Sequence, residues 1–132
     1  VDWFRAGLAS TCQKLNHSEL TNVRLIRAEA LLLLSEALPQ VPLFDDVLVF
    51  FPDPWRSSES RRLIRPNLIE HLSPRMRNRG RLHLATDVLD YPAHAQAVMR
   101  KCYWTEVLVE PSRSLARPST LFERRARDAG RH

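Results

Sequence analysis

The chain has 132 residues and a formal net charge of +5, with 44% hydrophobic and 27% charged residues. That length and balance suit a single domain, here residues 1–132, with a real core, and exclude a collagen, a coiled coil or a disordered tail. The longest apolar run, residues 30–34, falls far short of the ~20 residues that span a bilayer, so no membrane partner is expected.

The start, Val1-Asp2-Trp3-Phe4-Arg5, lacks the apolar stretch of a secretory signal. Residues 1–4 read as the tail of a strand. Residues 6–15 place Leu8, Cys12 and Leu15 on one helical face, and Asn16 can close the helix. Residues 22–28 read as a second strand, and 30–38 as a short apolar helix stopped by Pro39. Residues 47–51, Val-Leu-Val-Phe-Phe, form a continuous β-branched and aromatic run, expected in a strand covered on both faces. Pro52 and Pro54 end it. Residues 57–62 are a polar loop. Residues 66–76 suit a helix with Pro66 in its first turn and Pro74 ending it early. Gly80 turns the chain into a strand over 81–86. Asp90-Tyr91-Pro92 opens a helix to about Cys102, and 104–109 reads as a further strand. Residues 113–119 read as loop, and 121–126 fit either helix or strand. This alternation predicts an α/β fold: an open, mostly parallel sheet with flanking helices, built from βαβ units.

Charge is uneven. Arginine supplies 18 of the 20 basic residues. Residues 56–81 hold eight arginines against Glu59 and Glu70, and residues 113–132 hold six against Glu123 and Asp128. A basic surface facing nucleic acid, or a genome rich in arginine codons, accounts for this. Cys12 and Cys102 form no CxxC, which fits a reducing cytoplasm. The five histidines show no ligand spacing, so no metal is expected. The three glycines, Gly7, Gly80 and Gly130, form no GxG, the turn that lets backbone approach a nucleotide.

Ligands of open α/β sheets bind beyond the carboxyl ends of the strands. Asp2, Glu29, Asp53 and Asp87 all fall at expected strand ends. Such acids hydrogen-bond ribose hydroxyls or base edges, or they cap helices. Asp53 stands apart because Pro52 and Pro54 fix its backbone on both sides and Trp55 follows at once. Trp55 either packs over the sheet edge or stacks on a base.

Phe50-Phe51-Pro52-Asp53-Pro54-Trp55 resembles the tRNA (guanine-N7)-methyltransferases of bacterial type. Further segments are similar in order: Asn22 through Glu29-Ala30, Arg61-Arg62-Leu63, Leu84-Ala85-Thr86-Asp87 with Tyr91, and Arg117-Pro118 with Thr120, Phe122-Glu123 and Gly130. The resemblance implies a partial class I methyltransferase fold, S-adenosyl-L-methionine as cofactor, and tRNA as partner, methylated at a guanine N7 in the variable loop. It implies cofactor binding by Asp2, Glu29 and Asp53, with Asp53 also catalytic. It implies tRNA binding by Arg61, Arg62, Asp87, Thr120 and Glu123. The chain departs from the family in having Ser57 and Leu121 where lysines are usual, and Glu29 where the shorter aspartate is usual. The family's glycine-rich segment would precede Val1 and its last strand would follow His132. These 132 residues alone are therefore expected not to methylate tRNA, and a strand-exchanged dimer is one way to complete the sheet. A non-catalytic RNA-binding module derived from such an enzyme is the alternative.

Overall fold

The computed structural model describes residues 1–104 and positions 124 and 128, which are helical and exposed. Of the strand expected over 104–109 only Trp104 is described, and the 121–126 segment, apart from 124, and the site residues Thr120 and Glu123 lie outside the described residues. The chain forms two compact units, Val1–Gln40 and Val41–His132.

In the first unit, helix α1 spans Arg5–His17. Lys14 and His17 in its last turn suit the negative end of the helix dipole. The helix ends where the Ser18 hydroxyl donates to the Lys14 carbonyl at 2.9 Å. The strands expected at 1–4 and 22–28 are corrected to a single parallel bridge, Asp2 to Arg27, with the Asp2 amide donating to the Ile26 carbonyl at 3.2 Å. Trp3, Phe4, Val23, Leu25 and Ile26 remain exposed. No apolar face is covered there, so nothing offsets the entropy of ordering a longer ladder. The next helix begins as α2, Ala30–Leu32, and continues as a π-helical turn, Leu33–Ala37, closed by the Leu38 amide on the Leu33 carbonyl at 3.0 Å. Pro39 then holds Leu38 extended (φ −98°, ψ 137°) and ends it as expected.

The second unit is a β–α–β crossover followed by a helix. Strand β1 spans Phe44–Phe50, helix α3 Pro66–Leu72, strand β2 Met76–Ala85 and helix α4 Tyr91–Lys101. β1 and β2 pair in parallel, from Asp46 opposite Arg81 to Phe50 opposite Ala85. Fold and sheet direction match the α/β expectation, whereas three strand details differ. β1 starts earlier than expected because Asp45 and Asp46 lie within it, paired with Arg77 and Arg81 across the ladder. It is not covered on both faces: Leu48 is 53% exposed. β2 also starts earlier, and Gly80 is not a turn before the strand but part of a bulge inside it. Phe44 pairs with Met76 and Asp46 with Arg81, so β2 carries extra residues, and Arg79 there is left-handed (φ 63°). A Cβ on Gly80 would stand 2.9 Å from the Arg77 carbonyl oxygen and 3.2 Å from that of Phe44.

Pro74 ends α3 early, as expected, and Ser73–Arg75 form a 3₁₀ turn leading into β2. The core lies between α3 and α4. Leu68, Ile69 and Leu72 face inward from α3. Tyr91, Ala95, Val98 and Met99 do so from α4, at the spacing of one helical stripe. Ile64 and Val88 add to it from the loops that precede α3 and α4.

Candidate active site

Parallel strands deliver their carboxyl ends to one edge. The Phe51 amide donates to the Ala85 carbonyl at 2.8 Å, so the segments after β1 and β2 leave the sheet side by side. Asp53 and Asp87, expected at strand ends, are both exposed at this edge. The Pro52-Asp53-Pro54 stretch sits between two left-handed residues, Phe51 (φ 50°) and Trp55 (φ 38°). Bulky side chains in that region cost about 1–3 kcal/mol each and persist only where surroundings enforce them. Among the described residues no side chain hydrogen-bonds the Asp53 carboxylate. It is held by its backbone and left open to a ligand.

Trp55 is half-buried, and the Arg61 guanidinium lies over its ring at 3.5 Å from the centroid. That cation–π stack covers one face of the indole. The expected polar loop holds a 3₁₀ turn, Glu59–Arg61, which brings Arg61 back onto Trp55.

Arg62, expected to touch tRNA, is corrected. It is 0% exposed. Its Nε donates to the Pro54 carbonyl at 3.1 Å, an Nη donates to the Asp90 carboxylate, and its guanidinium lies 4.9 Å from the Tyr91 ring centroid. A phosphate cannot reach it there. The Arg62 bond holds the Asp90 carboxyl below the usual carboxylate range. Burial pushes the Tyr91 phenol up, with the Asp53 charge a smaller contribution in the same direction. The Tyr91 hydroxyl accepts from the Ile64 amide at 3.3 Å, and His94 Nε2 lies 2.9 Å from the Ile64 carbonyl. A carbonyl only accepts, so Nε2 carries the proton, while Nδ1 faces Glu59 at 3.4 Å. Sequence reasoning missed this network. Asp90 was read only as a helix start, and its pairing with an arginine 28 residues earlier has no local signal.

The basic stretch 56–81 is smaller as a surface than as a sequence. Arg62 and Arg75 are buried, and Arg77 and Arg81 pair with Asp45 and Asp46. Arg56, Arg61 and Arg79 are exposed and, among the described residues, in no ion pair.

Asp2 and Glu29 belong to the first unit. Asp2 Oδ1 accepts from the Phe4 amide at 2.9 Å. Glu29 caps α2, accepting from the Leu32 amide at 2.8 Å. Each carboxylate spends one oxygen on backbone, and its second is in no hydrogen bond among the described residues. This suits a ribose or amine ligand. Among the described residues no three His, Cys, Asp or Glu gather as a metal site, and no helix is long and apolar enough to cross a membrane.

Comparison with known proteins gives the chain its relatives. The family model of putative methyltransferases matches residues 1–132. The chain belongs to that methyltransferase family. A Nitrosococcus oceani protein named tRNA (guanine-N(7)-)-methyltransferase is 35% identical over 132 residues, covering 98% of this chain and 56% of its own. Proteins of the same name from Nitrosomonas europaea and Mycolicibacterium paratuberculosis are each 34% identical, over 94% and 98% of this chain and 57% and 52% of their own. This methyltransferase-family chain thus spans about half the length of the curated relatives it matches. No solved structure shows a significant match. The resemblance carried by the Phe-Phe-Pro-Asp-Pro-Trp segment is borne out, and the turn it forms holds an exposed aspartate between two prolines and two left-handed residues.

Proposed function

We propose that the protein transfers a methyl group from S-adenosyl-L-methionine to N7 of a guanine in the variable loop of tRNA, in the cytoplasm, with Asp53 as its catalytic carboxylate. The observation that carries this reading is Asp53 itself: an exposed carboxylate between two prolines and two left-handed residues at the carboxyl edge of a parallel sheet. The matching relatives bear the name of that activity.

Guanine N7 presents a lone pair and no proton, so the reaction needs no general base. It needs alignment and stabilisation of the positive charge that grows on the base. Asp53 can accept hydrogen bonds from the guanine Watson–Crick edge and favour that charge. Its rigid backbone fixes the carboxylate before the base arrives, so little ordering remains to be done during the reaction. Asp2 and Glu29 would hold the methyl donor through their second carboxylate oxygens. Bound there, it supplies an electrophilic methyl on a positively charged sulfur. Arg61 on Trp55 offers phosphates a charge and a base a guanidinium plane on which to stack. Asp87, Thr120 and Glu123 are assigned to tRNA.

Asp53→Asn keeps shape and hydrogen-bonding capacity but removes the charge. Turnover on unmodified tRNA should fall at least ~10²-fold, the usual scale of an electrostatic group aimed at the transition state, with tRNA affinity held within about threefold. Turnover within threefold of the parent makes Asp53 a turn residue. Binding without any transfer by the protein expressed from its whole reading frame favours the RNA-binding module instead.

A further inference from the structure

The buried arginine has a task that neither substrate binding nor packing accounts for. Three links join the 62–64 segment to the first turns of α4: Arg62 to Asp90, the Ile64 amide to the Tyr91 hydroxyl, and the Ile64 carbonyl to His94. Only Arg62 also reaches across to the acidic turn, through the Pro54 carbonyl. That carbonyl is one peptide from Asp53, on the flank between the catalytic carboxylate and Trp55. Its other flank is tied to the sheet through the Phe51 amide on Ala85.

We propose that Arg62 is a positioning residue for the reaction: paired with Asp90, it holds the Pro54 peptide and so sets the direction of the Asp53 carboxylate. This deepens the methyltransferase reading and rests on it. Arginine suits the task because its planar fork serves two acceptors in one rigid geometry, the carbonyl through Nε and the carboxylate through a terminal nitrogen. Tyr91 below the guanidinium keeps the plane from tilting. Lysine, a flexible point charge, cannot serve both acceptors in that geometry. Asp90 is the member open to safe change, because its side chain is 59% exposed whereas that of Arg62 is 0% exposed. Removing it takes away the guanidinium's hydrogen-bonded carboxylate without emptying the core, leaves Glu59 as the remaining carboxylate at 3.7 Å, and so lets the guanidinium swing toward Glu59 and away from the Pro54 carbonyl.

The test uses the protein expressed from its whole reading frame, as Asp90→Ala, Asp90→Asn and Arg62→Lys. Two readouts are taken: the backbone amide resonances of Asp53 and Trp55 without RNA, and kcat and KM for methyl transfer to tRNA. Asp90→Ala and Arg62→Lys should shift both amides and lower kcat about tenfold or more, since misplacements of an ångström already cost on the order of 10²-fold. KM for tRNA should stay within about twofold. Asp90→Asn, which keeps an acceptor for the guanidinium, should recover most of the loss. Unmoved amides in Asp90→Ala overturn the link between Arg62 and the turn. Moved amides with unchanged kcat overturn the positioning role. A loss confined to KM returns Arg62 to substrate binding and overturns the proposal as well. Absence of transfer in the parent, with the amides still moving in Asp90→Ala, defeats the functional reading and leaves Arg62 a structural anchor only.

Discussion

Tyr91 is the residue on which the site and the core meet. Its ring is 0% exposed, it sits edge-on to His94 with centroids 5.9 Å apart, and its hydroxyl takes the Ile64 amide. Tyr91→Phe keeps the ring and strands that buried amide, a loss of about 1–3 kcal/mol. Urea unfolding should show it as a lower midpoint at unchanged slope. A midpoint identical to the parent's means that the amide finds another partner. There is also a pH signature. Burial raises the phenol's pKa in the folded protein, so the unfolded chain ionises first. The stabilisation is whole below the unfolded pKa of about 10 and drains as pH climbs past it. Tyr91→Phe lacks that alkaline loss.

At the scale of elements, the β1–β2 ladder is set by its bulge and by charge. Gly80→Ala would press a methyl against two backbone carbonyls, at 2.9 and 3.2 Å, which no side-chain rotation relieves. A destabilisation of about 1–3 kcal/mol is expected, the scale of overpacking, read by chemical denaturation. No change would mean that the bulge shifts register at no cost. Across the same ladder Asp46 accepts from Arg81 at 2.9 Å and lies 2.8 Å from His83 Nε2, which together hold its carboxyl below the usual range. The sign follows from the lowered pKa. The contribution is present above the unfolded value of about 3.9 and lost as pH falls through the folded one. Asp46→Asn should therefore lower the melting temperature at pH 6, and the difference from the parent should shrink progressively as pH falls below the ordinary carboxylate range. Parallel curves at all pH values would show that this pairing contributes nothing.

These elements also show what could be read from the sequence. The strand ending at Phe50, the helix stopped by Pro74 and the helix opening after Asp90 rest on local signals, namely β-branched runs and prolines, and all three form. The strands expected at 1–4 and 22–28 do not form beyond one bridge, because their apolar side chains have no cover among the described residues. Gly80 was legible as special but not as a bulge, since a bulge is a relation between two strands. Asp53 was legible because two prolines fix its backbone locally. Arg62 was misread as a surface cation, because its burial depends on Asp90 and Tyr91, about thirty residues away.

At the scale of the whole molecule, a formal charge of +5 is not a map of exposed cations: among the described residues, two of the eight arginines in 56–81 are buried and two more are paired. Among the described residues, the carboxyl edge of the sheet carries two exposed aspartates, Asp53 on its rigid turn and Asp87, and an arginine stacked on a tryptophan. The most direct test is the chemical identity of the product. Unmodified tRNA is incubated with S-adenosyl-L-methionine labelled in the methyl group and with the protein expressed from its whole reading frame, beside the 132-residue chain alone. The tRNA is then digested and its nucleosides separated. Label is expected in 7-methylguanosine from a variable-loop position with the full reading frame, and none with the 132-residue chain. Label in any other nucleoside, or no label with either protein, would contradict that expectation.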